Sequence, residues 1–345
     1  MTETGIKPPR PHKSRRLGMR EIARSIGVAP ITVSRALRDP GKVSPETRRK
    51  ILEAIDREGF IPNQLAGSMR SAGRIIGTVV PPLINSGIAE QVQGMSDACR
   101  ERGYQLLLMQ GDFSAEAEEQ AIRALLGWKP AGLILQAFVQ SETARRLLAE
   151  CGSAVVEISE IRGKEPIEMA VGVSNFDTAY AMTVHLAEKG YRKIAFVSTP
   201  VHGNDRLQQR CIGYRQAIAD RGLPDQPRLE VEVPITPRGG AEALGAIMDG
   251  DPEVDVIFFS SDTLAIGAVQ ECHRRGWRIP ERLAIAGYGN IDLGAELFPA
   301  LTTVHVPRYD MGRRAVTELL HRLQTGRIDQ KIVAVDFSII DRDSA

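Results

Sequence analysis

The chain has 345 residues, 43% of them hydrophobic and 25% charged, which excludes a disordered or fibrous protein and leaves room for two or three folding units. The net charge of +1 hides an asymmetry: residues 7–74 hold 16 Lys and Arg against 6 Asp and Glu, a net of +10, which leaves −9 for the rest. A basic head on an acidic body points to a polyanion as the partner of the head.

In chain order, residues 1–17 read as a disordered basic arm and 18–61 as an all-α head. "MREIARSIGVAPITVSRALRD" gives two helices with apolar stripes at Ile22, Ala23 and Ile26 and at Val33, Ala36 and Leu37. Gly27 in the intervening "GVAP" suits a left-handed turn, and Pro30 suits the first turn of the second helix. A third helix, carrying Ile51, Leu52 and Ile55, enters through "SPET", where Ser44 is a cap. Residues 62–74 read as a linker with a short helix between Gln64 and Arg70, capped by Asn63 and weakened by Gly67. A helix that short does not hold alone in water, so it is expected to order only in some states.

From Ile75 onward short apolar runs alternate with amphipathic stretches. "RIIGTVVP", "YQLLLMQ", "AGLILQAF" and "AVVEIS" read as strands between helices, and the series restarts with the helix "FDTAYAMTVHLAEKG". The strands "KIAFVST", "RLEVEVP", "DVIFFSS", "LAIAGYG", "ALTTVHVP" and "KIVAVDFSII" follow, again separated by helices. Two such arrays predict two similar lobes, each a parallel sheet covered by helices on both faces. Ligands bind such sheets outside the carboxyl ends of the strands, which here would face one another across a cleft.

Three function classes are disfavoured by what the sequence lacks. The four cysteines are scattered, none in a CxxC or Cys/His spacing, so no metal site or disulfide framework is expected and reduced thiols fit best. The opening "MTETGIKPPRPHKSRRLG" has no apolar stretch of the secretory kind, and no run reaches the roughly 18 apolar residues of a membrane helix. A soluble cytoplasmic protein with no membrane partner is therefore expected. No nucleophile elbow, zinc-protease motif or phosphate-binding loop occurs, the six histidines do not cluster, and no enzyme activity or cofactor is expected.

The turn between the first two helices fits a helix-turn-helix, whose second helix lies in the DNA major groove. Thr32, Ser34 and Arg35 then stand near its N-terminal end. Arg35 could fork guanine O6 and N7, while Thr32 and Ser34 suit phosphates or base edges. The same pattern taken alone also fits a helical hairpin in a bundle.

Over nearly its whole length the sequence resembles the LacI/GalR family of bacterial transcription regulators. The resemblance rests on "MREIARSIGVAPITVSRAL", "VSPETRRKILEAIDREGFIPNQLA", "LAEKGYRKIAFV", "SSDTLAIGAVQ" and "LTTVHVPRYDMGRRAVTELL". It implies a head that binds double-stranded operator DNA as a homodimer, with Pro30, Ile31 and Arg35 at base-reading positions. It implies that 63–70 is a hinge helix that orders on DNA, with Met69 as a minor-groove wedge. The body would be periplasmic-binding-protein-like, with lobe 1 at about 75–174 and 305–333 and lobe 2 at about 175–304 and 334–345. Asp262, Arg210, Gln136 and Asn85 match family ligand contacts, with Arg210 placed three residues before the family glycine at Gly213. Within the family, "VVPPLINSGIAEQVQGM", "AIAGYGNID" and "ALTTVHVPRYDMG" look most like the gluconate-responsive regulators. That implies a sugar or sugar-acid effector, gluconate or a relative of it, acting on what is expected to be a repressor. There are departures: Gly18 and Ala29 stand where side-chain caps are usual, and Pro30 and Ile31 replace polar readers. The alternative is a solute-binding protein for a sugar or sugar acid, which the body alone would permit and the basic head opposes. The chain shows no apolar heptad tail after its last strand, so a dimer rather than a tetramer is expected.

Overall fold

The computed structural model describes residues 19–58, 74–83, 86–111, 114–136, 141–163, 165–200, 204–224 and 229–345. The basic arm, nearly all of the linker with Asn63 and Met69, and Asn85 lie outside the described residues. The chain divides into two compact units, a head up to Ser71 and a body from Ala72 to Ala345.

The head is three helices: α1 (Met19–Ser25), α2 (Pro30–Arg38) and α3 (Pro45–Glu58). Their apolar stripes meet in one small core of Ile22, Ala23, Val33, Ala36, Ile51, Ala54 and Ile55. After α1 the chain closes with a bond from the Val28 amide to the Ala23 carbonyl at 2.9 Å, and Gly27 sits at φ +71°. That is the glycine-terminated helix end expected from the sequence. The Ser44 hydroxyl accepts from the Thr47 amide at 3.2 Å and so caps α3, whereas α2 starts at Ala29 with no side-chain cap.

The body is α/β. Its first sheet contains β1 (Ile75–Val80), β2 (Gln105–Gln110), β3 (Gly132–Leu135), β4 (Ala154–Glu160), β5 (Met169–Val173) and β11 (Ile332–Ala334), in the order β11-β5-β4-β3-β1-β2. Helices α4 (Ser86–Glu101), α5 (Ala115–Leu126) and α6 (Glu142–Glu150) connect its strands. The second sheet contains β6 (Ile194–Ser198), β7 (Glu230–Glu232), β8 (Val256–Phe259), β9 (Ala284–Tyr288), β10 (Thr302–His305) and β12 (Ser338–Ile340), in the order β12-β10-β9-β8-β6-β7. Its helices are α7 (Asn175–Glu188), α8 (Asp205–Asp220), α9 (Pro237–Gly250), α10 (Asp262–Arg274) and the short α11 (Asp292–Ala295). The long α12 (Arg308–Thr325) follows β10 but packs on α4, β3 and β4 of the first lobe. The chain thus crosses between lobes after β5, after β10 and after β11.

The strands read as unbroken apolar runs because both faces of each sheet are covered. One core cluster runs through both lobes, from Ile76, Met95 and Ile134 through Val173 and Tyr288 to Phe196 and Phe258. The other faces close against α5 and α6 in the first lobe, and against α9 and α10 in the second. Six helices, α5 to α10, begin on Ser114, Ser141, Ser174, Asn204, Thr236 and Ser261, each accepting a backbone N–H from the first turn. The capping residue fixes where each strand-to-helix loop ends.

The structure departs from the sequence reading in three places. β5, five fully buried residues, was not read as a strand, because Gly172 and the short "MAVGV" blur its signal. "KIVAVDFSII" is two strands in different lobes, with Val335–Phe337 crossing between them. The second of these, β12, is antiparallel to β10 because the chain comes back from the first lobe without a crossover helix to reverse it. All other strand pairs are parallel among the described residues.

Candidate functional site

On the head, α2 buries Val33 and Ala36 and turns its other side outward. Pro30, Ile31 and Arg35 are exposed, with Thr32 and Ser34 half-buried beside them. Ile31 is 57% exposed, although burying it would be favourable by about 1.5–3 kcal/mol. No intrahelical requirement explains an apolar side chain there, and it suits contact with a thymine methyl. The four-residue spacing of Ile31 and Arg35 puts them one above the other on this face. The helix N-terminus adds little for a phosphate, since Pro30 has no N–H and the Thr32 amide already donates to the Ala29 carbonyl at 2.8 Å.

In the body, a narrow cavity of about 50 Å³ opens between the lobes, lined by Gln91, Ile158, Val173, Asn175, Arg206, Arg210, Tyr288, Val306, Arg308 and Met311. Arg210 is its best-anchored polar group. Its Nε donates to Asn175 Oδ1 at 2.9 Å and its Nη1 to the Ser260 carbonyl at 2.9 Å. Its guanidinium lies over the Tyr288 ring, 3.6 Å from the centroid. The Tyr288 hydroxyl donates to the same Asn175 oxygen at 3.1 Å. Asn175 is held in turn by its amide, which donates to Glu160 Oε2 at 2.8 Å. Burial lowers the Arg210 pKa, since taking the charge out of water is unfavourable. Arg206, one turn earlier on α8, is pushed down to about 10 by burial and then by Arg210 and Arg308, against the opposing pull of Asp205. Arg308 enters from the crossing after β10 and donates to the Gly289 carbonyl at 3.2 Å.

Asp262 is fully buried at the first turn of α10, and Ser261, not Asp262, caps that helix. Its Oδ1 accepts from Thr303 Oγ1 at 2.6 Å and its Oδ2 from the Ile291 amide at 2.9 Å. Gly287 leaves room for it: a Cβ there would lie 2.1 Å from Oδ1. Burial raises the Asp262 pKa despite these donors. Gln136, just after β3, is 2% exposed, and neither of its side-chain amide atoms is hydrogen-bonded among the described residues. Such a group costs about 1–3 kcal/mol while it goes unmet. Neither Asp262 nor Gln136 is among the lining residues of the cavity, which Arg210 is.

Sequence reasoning missed Arg206, Arg308, Asn175, Tyr288 and Gln91. Arg206 was accessible to it, being four residues before Arg210 and so on the same helix face. Arg308 and Tyr288 depend on the fold, which joins a lobe crossing to a strand end. The described cysteines are free thiols, and burial raises Cys99 and Cys211 to about 11 and Cys272 to about 12, which keeps them unreactive. Among the described residues no helix is long and apolar enough to cross a membrane.

Residues 18–63 match the family described as bacterial regulatory proteins, lacI family, and residues 183–345 match a periplasmic binding protein-like domain. The HTH-type transcriptional regulator GntR of Escherichia coli (strain K12) is 32% identical over 329 residues, covering 95% of this chain and 98% of that protein. A LacI-family transcriptional regulator from Silicibacter pomeroyi superposes with a TM-score of 0.87 at 27% identity, over 95% of this chain and 99% of the other. The transcriptional regulator CelR in complex with cellobiose superposes with a TM-score of 0.70 at 26% identity, over 96% of this chain and 100% of the other.

Proposed function

This chain belongs to the lacI family of bacterial regulatory proteins and is a DNA-binding transcriptional regulator, and from that premise we propose that it is a cytoplasmic, homodimeric repressor without catalytic activity, released from its operator by a sugar acid such as gluconate. The observation that carries the ligand reading is the arrangement of Arg210, Asn175 and Tyr288 in the cleft between the lobes. A guanidinium held by neutral partners over an aromatic ring retains its charge for an incoming carboxylate, which it meets as a fork. The cellobiose bound by CelR supports a carbohydrate framework for that acid.

The remaining roles follow from this reading. Pro30, Ile31, Thr32, Ser34 and Arg35 face the operator, and Asn63 and Met69 belong to a hinge at 62–74 that orders on DNA. Gln136, Asn85 and Asp262 complete the ligand shell once the lobes rearrange. Gln136 gains partners there that it lacks now. Asp262 acts through Thr303 and the Ile291 amide, which it holds in place at the carboxyl end of the second sheet. The ligand can shift the DNA-bound population only by the difference between its affinities for the two arrangements. A solute-binding protein would have the same cleft but no use for a head of net charge +10.

The test is a mobility-shift titration of the full chain on its own promoter DNA, with and without gluconate. Release of a salt-sensitive, sequence-specific complex by millimolar gluconate is the expected result. A complex that no sugar acid weakens, or tightens instead, refutes the induced-repressor reading.

A further inference from the structure

The start of α2 is poor in hydrogen-bond donors, although it belongs to the helix that faces DNA. Pro30 has no N–H, and the Thr32 and Val33 amides already donate to the Ala29 carbonyl, at 2.8 and 3.4 Å. No side chain caps the helix at Ala29, and its first turn holds no acidic residue. What this stretch shows to solvent is apolar, since Ala29, Pro30 and Ile31 are exposed in succession. Ile31 is the largest of the three and is 57% exposed.

Ile31 does not serve the packing of the head. The other described isoleucines there, Ile22, Ile26, Ile51 and Ile55, lie in its core or pack against it, and Ile31 does neither. A single exposed apolar residue is ordinary on a protein surface. This one follows two other exposed apolar residues and stands one turn before the exposed Arg35, on the side of α2 turned away from the core. In the major groove a base pair offers one apolar group, the C5-methyl of thymine, among donors and acceptors. An isoleucine side chain meets no donor or acceptor, so it discriminates between bases by that methyl alone. Four residues of α-helix span about 6 Å, and stacked base pairs are about 3.4 Å apart. The bases met by Ile31 and Arg35 therefore lie within about two base pairs of each other.

We propose that Ile31, flanked by Ala29 and Pro30, reads the C5-methyl group of a pyrimidine in the operator, within about two base pairs of the guanine forked by Arg35. The inference rests on the reading of α2 as the operator-reading helix and names the chemical group that helix takes besides guanine. Recognition at that base pair depends on the methyl rather than on the hydrogen-bonding edge. Thymine satisfies it, uracil does not, and 5-methylcytosine is preferred over cytosine. Operator affinity in this protein is thereby made sensitive to cytosine C5-methylation at one position of each half-site.

The test uses the full chain and a duplex that it selects from random-sequence DNA. Thymines of that duplex are replaced by deoxyuridine, one symmetry-related pair at a time, which removes the C5-methyl and leaves the hydrogen-bonding groups in place. Fluorescence anisotropy should find a thymine pair at which uracil weakens binding about fourfold per half-site, the effect of one buried methyl, or about fifteenfold for both. That pair should lie within about two base pairs of the position whose preference Arg35→Ala relaxes. Cytosine and then 5-methylcytosine at the same pair should give a similar ratio in favour of the methylated base. In Ile31→Ala the thymine-to-uracil ratio should fall to about twofold or less for both half-sites together, while Ile31→Val should keep most of it. Neither substitution should unfold the head, because Ile31 lies outside its core. The inference is overturned if no thymine pair responds to uracil, if the responding pair lies farther from the Arg35 position, or if Ile31→Ala retains the wild-type ratio. If the chain selects no sequence at all, the reading of α2 as an operator-reading helix falls, and this inference with it.

Discussion

Gly213→Ala tests whether the packing of α7 on α8 sets the geometry of the cleft. A Cβ at position 213 would lie 2.2 Å from the Phe176 carbonyl oxygen, 3.0 Å from its carbon and 3.1 Å from its Cα. All three are main-chain atoms, so no side chain can turn aside. The helices must separate by roughly 1 Å before the contact reaches ordinary van der Waals range. Overpacking of this kind costs about 1–3 kcal/mol, and the better helix propensity of alanine returns about 1 kcal/mol. A net loss of up to about 2 kcal/mol is expected, which in a domain of this size lowers Tm by up to about 6 °C. The function should suffer as well. Phe176 adjoins Asn175 on α7, and the Asn175–Arg210 bond of 2.9 Å joins that helix to α8. Moving the helices apart by that amount carries the pair beyond hydrogen-bond distance. Differential scanning calorimetry should record the lower Tm, and calorimetric titration a weaker affinity for the cleft ligand. Operator affinity without ligand should be retained, since the head is a separate compact unit. A Gly213→Ala protein with the wild-type Tm and ligand affinity would refute the reasoning.

Arg35→Ala should weaken binding to the specific operator by about 1–3 kcal/mol while affecting random DNA less; equal losses on both, measured by fluorescence anisotropy, would count against base reading. Gly27→Ala puts a β-carbon on a residue at φ +71° with open space around it, so its cost is conformational, about 1–2 kcal/mol. It should appear as premature melting of the head, and an unchanged head would show that the turn can be remade without a left-handed residue. Asp262 gives a pH signature: burial raises its carboxyl pKa, so the folded state holds the proton more tightly than the unfolded state. Wild-type stability should therefore fall as pH rises from the ordinary carboxylate range through the raised folded value, relative to Asp262→Asn, which does not titrate. Urea midpoints for both proteins between roughly pH 4 and 8 should diverge in favour of the variant and then run parallel; parallel curves throughout would mean that the Thr303 and Ile291 donors fully offset the burial.

How much was legible from sequence depended on how local each feature was. The three helices of the head were readable because each of their signals is a neighbour effect: the glycine at 27, the proline at 30, the serine cap at 44 and the stripes between them. The long buried strands were readable from continuous apolar runs. "KIVAVDFSII" reads as one strand because a continuous apolar run carries no sign of the break at Val335–Phe337, and only the resemblance, with its lobe boundary at 333/334, divides it between the lobes. β5 was missed because five residues with a glycine carry little periodicity. Arg210 could be singled out from its helix and its resemblance, but its partners could not. Asn175, Ser260 and Tyr288 are 35, 50 and 78 residues away in sequence, and only the fold of the second lobe brings them together. The buried, saturated environment of Asp262 was equally invisible, since it comes from Thr303 and Ile291 on the far side of β9.

The two walls of the cleft differ in a way that bears on control. Lobe 2 supplies Arg206, Arg210, Asn175 and Tyr288, and the fixed groups that hold Arg210, Asn175 Oδ1 and the Ser260 carbonyl, belong to that lobe too. The charged half of the site is therefore preorganised before any ligand arrives, and ordering it costs little at the moment of binding. Lobe 1 supplies Gln91, Ile158, Val173 and Met311, groups that can close over a ligand but cannot attract it from a distance. Arg308 lies between them, donating to Gly289 in lobe 2 while its side chain abuts Gly87 at the start of α4, where a Cβ would come within 2.7 Å of it. A ligand that draws Arg308 toward lobe 2 must pull it from that contact. Binding energy from the lobe-2 arginines is the same in any lobe arrangement and shifts nothing. The part that can move the equilibrium is whatever Arg308 and the lobe-1 wall gain or lose as the lobes rearrange. Affinity and response should thus be separable in this protein, the first residing mainly on α8 and the second at the crossing that carries Arg308.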